Sequence, residues 1–236
     1  MIPILDSVKT RRTPYVNVAL ILINIAVFVY ELTLSTAGLN SFFIDWGVVP
    51  ADVDAWLSDP SGLEEPATFI TSAFMHGGWL HLGFNMLFLW VFGDNIEDAL
   101  GHAPYLLFYL LCGVAAAAAQ VAADADSVIP MIGASGAIAG VLGAYLVLYP
   151  RATVSVLLPF FFFIPFPMPA FVLLIFSFVG QLFTGIASIG TSEVSEGVAV
   201  WAHIGGFATG FVLILALRPL IPRRPYRHLR RGPEAY

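Results

Sequence analysis

Ser135 lies in Gly133-Ala134-Ser135-Gly136 and His203 in Ala202-His203-Ile204-Gly205-Gly206, each near the start of a strongly apolar run. A histidine that takes the proton of a serine hydroxyl makes that oxygen a nucleophile. Polar and ionisable groups are costly inside a membrane-spanning segment and mark function there by default. A second pair, His81 and Asn85, is spaced i, i+4 and shares one helix face. A His and an Asn aimed at one point are donors of the kind that stabilise an oxyanion. Together the four residues suggest acyl-transfer chemistry on a carbonyl inside a membrane. Singly they say less: serine is common at membrane helix interfaces, and His81 and Asn85 could bond to each other across one turn.

The elements that must carry these residues are apolar helices. Hydrophobic residues make up 58% of the 236 and charged residues 11%, with a mean hydropathy of +0.85, which excludes an ordinary soluble globule. Spans of about 20 apolar residues are expected at Val16–Leu32, Leu80–Ile96, Tyr105–Ala122, Ile132–Leu148, Ala170–Ile189 and Val198–Leu217. The fold class expected is an all-α polytopic membrane protein, a bundle of six transmembrane helices. Val154–Phe166 is short and contains Pro159 and Pro165, so it is expected to be interfacial or re-entrant rather than a seventh span. The single cysteine, Cys112, allows no disulfide framework and is expected to be a small core residue.

All ten Lys and Arg fall on one side of this arrangement: Lys9, Arg11, Arg12, Arg151, Arg218 and the tail Arg223, Arg224, Arg227, Arg230 and Arg231. By the positive-inside rule that side is cytoplasmic, and so are both termini. Most of the acids fall on the other side, in the first loop, at Glu31, and beside Asp124, Asp126, Glu193 and Glu196. Reading the first span as a cleaved signal peptide would leave five spans and an exoplasmic N-terminus. The basic tail is read as a topology anchor, with no nucleic-acid partner. The first loop, 33–66, carries Phe42, Phe43, Trp46, Trp56 and Leu57 among its acids, as amphipathic segments at the lipid interface do.

With six spans, Ser135, His203, His76, His81 and Asn85 come to one exoplasmic layer. Gly136, Gly140 and Gly143 on span four and Gly206 and Gly210 on span six form small-residue stripes that let two membrane helices approach closely. The chain resembles the bacterial six-helix type of rhomboid intramembrane serine protease. The resemblance rests on HGGWLHLGFNM from His76, GASG around Ser135, AHIGG around His203, and Gly93-Asp94-Asn95-Ile96-Glu97 running to Gly101.

That resemblance implies a rhomboid-like bundle with a Ser–His dyad, Ser135 as nucleophile and His203 as general base and then acid. The oxyanion would be held by His81, Asn85 and the backbone N–H of Ser135. It further implies a structural role for Glu97, cleavage of transmembrane or juxtamembrane segments of other membrane proteins within the lipid bilayer, and no cofactor. The expected divisions are a cytoplasmic segment 1–15, a six-span protease domain 16–217 and a basic tail 218–236, in the plasma membrane of a bacterium. Two features depart from the family pattern. Ala139 stands where an aromatic often packs on the histidine, and the first loop has no Arg. Trp201 and Tyr145 are then candidates to orient His203, and the loop at Gly190–Gly197 is a candidate gate with the end of span five. His102 and His228 are expected to be solvated, and Asn24 and Gln120 to bond between helices.

Three other classes compete. A zinc site would need ligand spacing that His76 and His81, five apart, do not have, and no HExxH is present. A small transporter would carry polar groups at midplane and repeated halves. A non-catalytic rhomboid-like protein that binds membrane clients would lose the serine or the histidine, and this chain keeps both.

Overall fold

The computed structural model describes residues 1–157, 164–188 and 199–221. Strand β1 (Ile2–Asp6) leads to α1 (Tyr15–Glu31), and the first loop folds into three short helices, α2 (Thr36–Trp46), α3 (Pro50–Ser58) and α4 (Glu64–Thr71). Then come α5 (Trp79–Phe88), a π-helical turn Leu89–Gly93, α6 (Asp94–Leu100), α7 (His102–Ala123) and α8 (Ser135–Leu148). Two strands, β2 (Thr153–Leu157) and β3 (Pro165–Pro169), precede α9 (Ala170–Ser188) and α10 (Val200–Leu217). The six expected apolar spans correspond to α1, α5 to α6, α7, α8, α9 and α10. His102–Ala123 and Val200–Leu220 are long and apolar enough to cross a membrane, while Tyr15–Glu31 and Ser135–Leu148 are shorter apolar helices.

The all-α expectation is corrected to mostly helical. β1, β2 and β3 form an antiparallel sheet in that order, at the end of α8 away from Ser135. Prolines 159 and 165 argued only against a span. What periodicity did not convey is that Thr153–Leu157 finds a partner in Ile2–Asp6, about 150 residues earlier. β3 is an edge strand, and its Pro165, Pro167 and Pro169 have no N–H to offer a further strand. Ser7 Oγ accepts the Thr153 N–H at 2.9 Å, and Asp6 Oδ2 accepts from Asn95 Nδ2 at 2.9 Å and from the Tyr145 hydroxyl.

α8 is the central helix: Ala137, Val141, Ala144 and Tyr145 are all but inaccessible. Glycine makes the packing possible. A Cβ added at Gly206 would lie 2.0 Å from the Gly136 carbonyl oxygen, and one at Gly210 would lie 2.0 Å from that of Gly140. Backbone therefore rests on backbone between α8 and α10. On the α7 side, a Cβ at Gly140 would meet Cys112 Cβ at 2.4 Å and one at Gly136 would meet Ala116 Cβ at 2.5 Å, so Cys112 is the small core residue expected.

At the sheet end, Glu97 accepts the Val16 N–H at 3.0 Å and the Asn17 N–H at 2.7 Å, capping the first turn of α1. Asn17 Nδ2 donates to the Leu89 carbonyl at 3.0 Å, satisfying an oxygen at the start of the π turn, where the i to i−4 ladder is interrupted. Gly93 leaves room for this: a Cβ there would fall 2.0 Å from Asn17 Oδ1.

Candidate functional site

α8 begins at Ser135, so its backbone N–H belongs to the first turn and has no partner within the helix. Three residues of structure before it decide the approach. Gly133 has φ +122°, a backbone region that side chains disfavour, and its N–H donates to the Ser72 carbonyl at 2.8 Å. Met131 exchanges both backbone hydrogen bonds with Val48, at 2.7 and 3.1 Å, tying the segment before α8 to the first loop. That backbone pairing is an anchor for the loop that needs no Arg.

His203 lies in the first turn of α10, which runs parallel to α8, and its Nε2 is 2.7 Å from Ser135 Oγ. In the tautomer with the proton on Nδ1, the hydroxyl donates to Nε2 and can pass its proton there on attack. Both residues are half-buried. Gln120, at the end of α7, accepts the Ala202 N–H at 3.3 Å and so ties the start of α10 to α7. It is one of the two interhelical bonders expected. Asn24 is not: its Nδ2 donates to Leu20 O at 2.8 Å, one turn back in its own helix.

His81 and Asn85 reach the same place from α5. A methyl group at Gly133 would fall 2.7 Å from His81 Nε2 and 3.8 Å from Asn85 Nδ2, so both side chains border the backbone two residues before the serine. Asn85 Nδ2 is buried and makes no hydrogen bond among the described residues. A buried donor without a partner is costly, and this one lies beside Gly133, two residues before the serine, as His81 does. The two side chains do not bond to each other. His76, just before α5, is buried, and its ring meets that of His81 edge-on with centroids 5.0 Å apart. Burial, reinforced by the neighbouring His81, pushes the His76 ring down to about 3, so it is neutral.

Neither proposed orienting residue reaches His203. Tyr145 is ten residues beyond Ser135 on α8, roughly 15 Å along its axis, and its hydroxyl donates to Asp6. Trp201 is two residues before His203 and faces another side of α10. His102, expected to be solvated, is partly exposed, and its Nδ1 also pairs with Glu97 Oε1 at 2.5 Å. Sequence reasoning missed Glu31, the last residue of α1, whose carboxylate accepts the His76 N–H. It had served only as a marker of charge distribution, although an acid ending an apolar helix was a visible signal. Gly190–Gly197, Glu193, Glu196, His228 and the tail arginines from Arg223 lie outside the described residues. Among the described residues no group of three His, Cys, Asp or Glu could hold a metal ion.

Residues 63–220 match the model of the Rhomboid domain, a stretch that contains His76, His81, Asn85, Ser135 and His203. The chain belongs to the rhomboid family. It is therefore a polytopic membrane protein. It is 30% identical over 167 residues to Rhomboid protein 1, mitochondrial, of Saccharomyces cerevisiae, covering 69% of this chain and 45% of the yeast protein. It is 42% identical over 77 residues to Rhomboid protease GluP of Bacillus subtilis, covering 33% of this chain and 15% of that protein. A third relative, Rhomboid-like protein 11, chloroplastic, of Arabidopsis thaliana, is 28% identical over 140 residues, covering 58% of this chain and 44% of the relative. The chain thus spans less than half the length of these relatives.

Proposed function

We propose that this rhomboid is an intramembrane serine endopeptidase of the bacterial six-helix type, cleaving transmembrane or juxtamembrane segments of other membrane proteins. The observation that carries the reading is the 2.7 Å approach of His203 Nε2 to Ser135 Oγ on two helices in backbone contact. Ser135 attacks the peptide carbonyl while His203 takes the hydroxyl proton and then gives it to the leaving amine. The tetrahedral oxyanion is met by His81, by Asn85 Nδ2 and by the Ser135 N–H. Water hydrolyses the acyl-enzyme with His203 again acting as base.

Depth follows from length. α8 has 14 residues, about 21 Å, against a hydrocarbon core of about 30 Å. Its far end leads directly into the sheet, which together with Arg12, Arg151 and Arg218 marks the cytoplasmic surface. Ser135 is then set below the exoplasmic surface, and substrate must unwind locally, because a helix keeps its carbonyls in i to i−4 bonds. Substrates with Gly, Pro or other poor helix formers near the scissile bond are favoured. The first-loop helix α2 has no buried residue and exposes Ile44 and Trp46, which suits a position in the exoplasmic interface.

The test is reconstitution in liposomes with a single-pass substrate bearing small residues near its exoplasmic boundary. Wild type releases fragments of defined mass, and Ser135→Ala and His203→Ala release none. A wild type that cleaves none of several such substrates, and whose Ser135 resists a fluorophosphonate, would instead be a client-binding protein.

A further inference from the structure

Glu31 ends α1 almost wholly buried, at 3% exposure, and among the described residues no basic side chain pairs with its carboxylate. A buried carboxylate without a cation is expensive unless hydrogen bonds hold it. Among the described residues its side chain is held by one backbone group: the His76 N–H donates to Oε1 at 3.1 Å and to Oε2 at 3.4 Å. That N–H belongs to the short non-helical link, Met75 to Gly78, between the 3-10 turn Ser72–Phe74 and α5.

Two arms run toward Ser135, one from the 3-10 turn before this link and one from the link itself. Ser72 O accepts the N–H of Gly133, two residues before the serine. The His76 ring, with both nitrogens free of hydrogen bonds among the described residues, packs edge-on against the His81 ring at 5.0 Å and 66°. His81 Nε2 in turn borders Gly133. A contact made by ring edges rather than by a hydrogen bond sets orientation only if the backbone carrying the ring is fixed. Among the described residues, the only side chain bonded to the His76 N–H is that of Glu31.

Resting on the serine-protease reading above, we propose that Glu31 is a positioning residue for the oxyanion site: by holding the His76 backbone it sets the His76 ring, which orients His81 toward the carbonyl attacked by Ser135. Glu31 touches neither substrate nor nucleophile. Its loss therefore weakens transition-state stabilisation while leaving substrate binding and the Ser–His pair intact.

The experiment compares wild type, Glu31→Gln and Glu31→Ala in detergent micelles. It measures kcat and KM on a small-residue transmembrane substrate, fluorophosphonate labelling of Ser135, and thermal unfolding. In Glu31→Ala, kcat is expected to fall by about tenfold or more, within the range for loss of one oxyanion donor, with KM within about twofold. Glu31→Gln keeps an acceptor oxygen and is expected to restore kcat to within about threefold of wild type, the rescue being judged on the order of one lost oxyanion donor. A folded Glu31→Ala with wild-type kcat overturns the proposal, and so does a loss that Gln fails to rescue. If Glu31→Ala does not fold, His76→Ala carries the test, since it keeps the backbone N–H and removes only the ring beside His81. Unchanged kcat there overturns the proposal. A wild type whose Ser135 is not labelled defeats the protease reading itself, and this proposal with it.

Discussion

Gly206→Ala adds one methyl group at the point where α10 touches α8, and its consequence can be worked from distances. The new Cβ would stand 2.0 Å from the Gly136 carbonyl oxygen and 2.9 Å from its carbon, where ordinary contact begins at 3.4 Å. Both atoms are backbone, so no side chain can rotate away. The helices must part by about 1.4 Å at this level, the difference between 3.4 and 2.0 Å. Gly136 adjoins Ser135, and Gly206 is one turn from His203, so the 2.7 Å hydrogen bond between them stretches to about 4 Å. A misplacement of about 1 Å costs on the order of 10² in rate, and overpacking of this kind costs about 1–3 kcal/mol in stability. Gly83→Ala is the control, because nothing lies within 4 Å of a Cβ there. Its expected effect on kcat is nil. The assay is kcat on a transmembrane substrate in detergent, with thermal unfolding to establish that both variants are folded. A folded Gly206→Ala enzyme with wild-type kcat would refute the claim that backbone contact between these helices sets the Ser–His distance.

Asn85→Ala removes a buried, unpaired donor and is expected to lower kcat by about 10² to 10³ without destabilising the fold; a drop in melting temperature with kcat preserved would contradict that role. Glu97→Ala strands the N–H groups of Val16 and Asn17 and is expected to cost about 2 kcal/mol or more, read by thermal unfolding, with fluorophosphonate labelling of the remaining folded enzyme unchanged. Burial pushes the Asp6 carboxyl up to about 6, against hydrogen bonds from Tyr145 and Asn95 that pull it down. The fold favours the neutral form, so this contribution is complete below the ordinary value of 3.8 and is lost as pH rises through about 6. Melting temperature followed from pH 4 to 7 should therefore fall less in Asp6→Asn than in wild type, and parallel curves would show that Asp6 is not the group responsible.

Membrane class, the apolar runs and the residues that carry the proposed chemistry were legible in the chain, because each is announced by local chemistry. Apolar runs of bilayer length report helices whatever surrounds them. A Ser and a His opening such runs are rare enough in lipid to be noticed, and glycine at every third or fourth position marks a face before its partner is known. The rest depended on pairings between distant residues. Nothing local in Ile2–Asp6 tells that it completes a sheet with Thr153–Leu157. The resemblance implied a structural role for Glu97 through backbone hydrogen bonds, but which backbone it holds, the first turn of α1, was decided by the tertiary contact. Tyr145 and Asn24 were misjudged for the same reason: a polar group in an apolar run must find a partner, and only the tertiary structure decides that Tyr145 finds Asp6 while Asn24 turns back on its own helix. Residue type thus determined which groups could react. Their convergence at one end of α8 was decided by long-range contacts, since hydrogen-bond geometry depends on where two backbones meet and not on either segment alone.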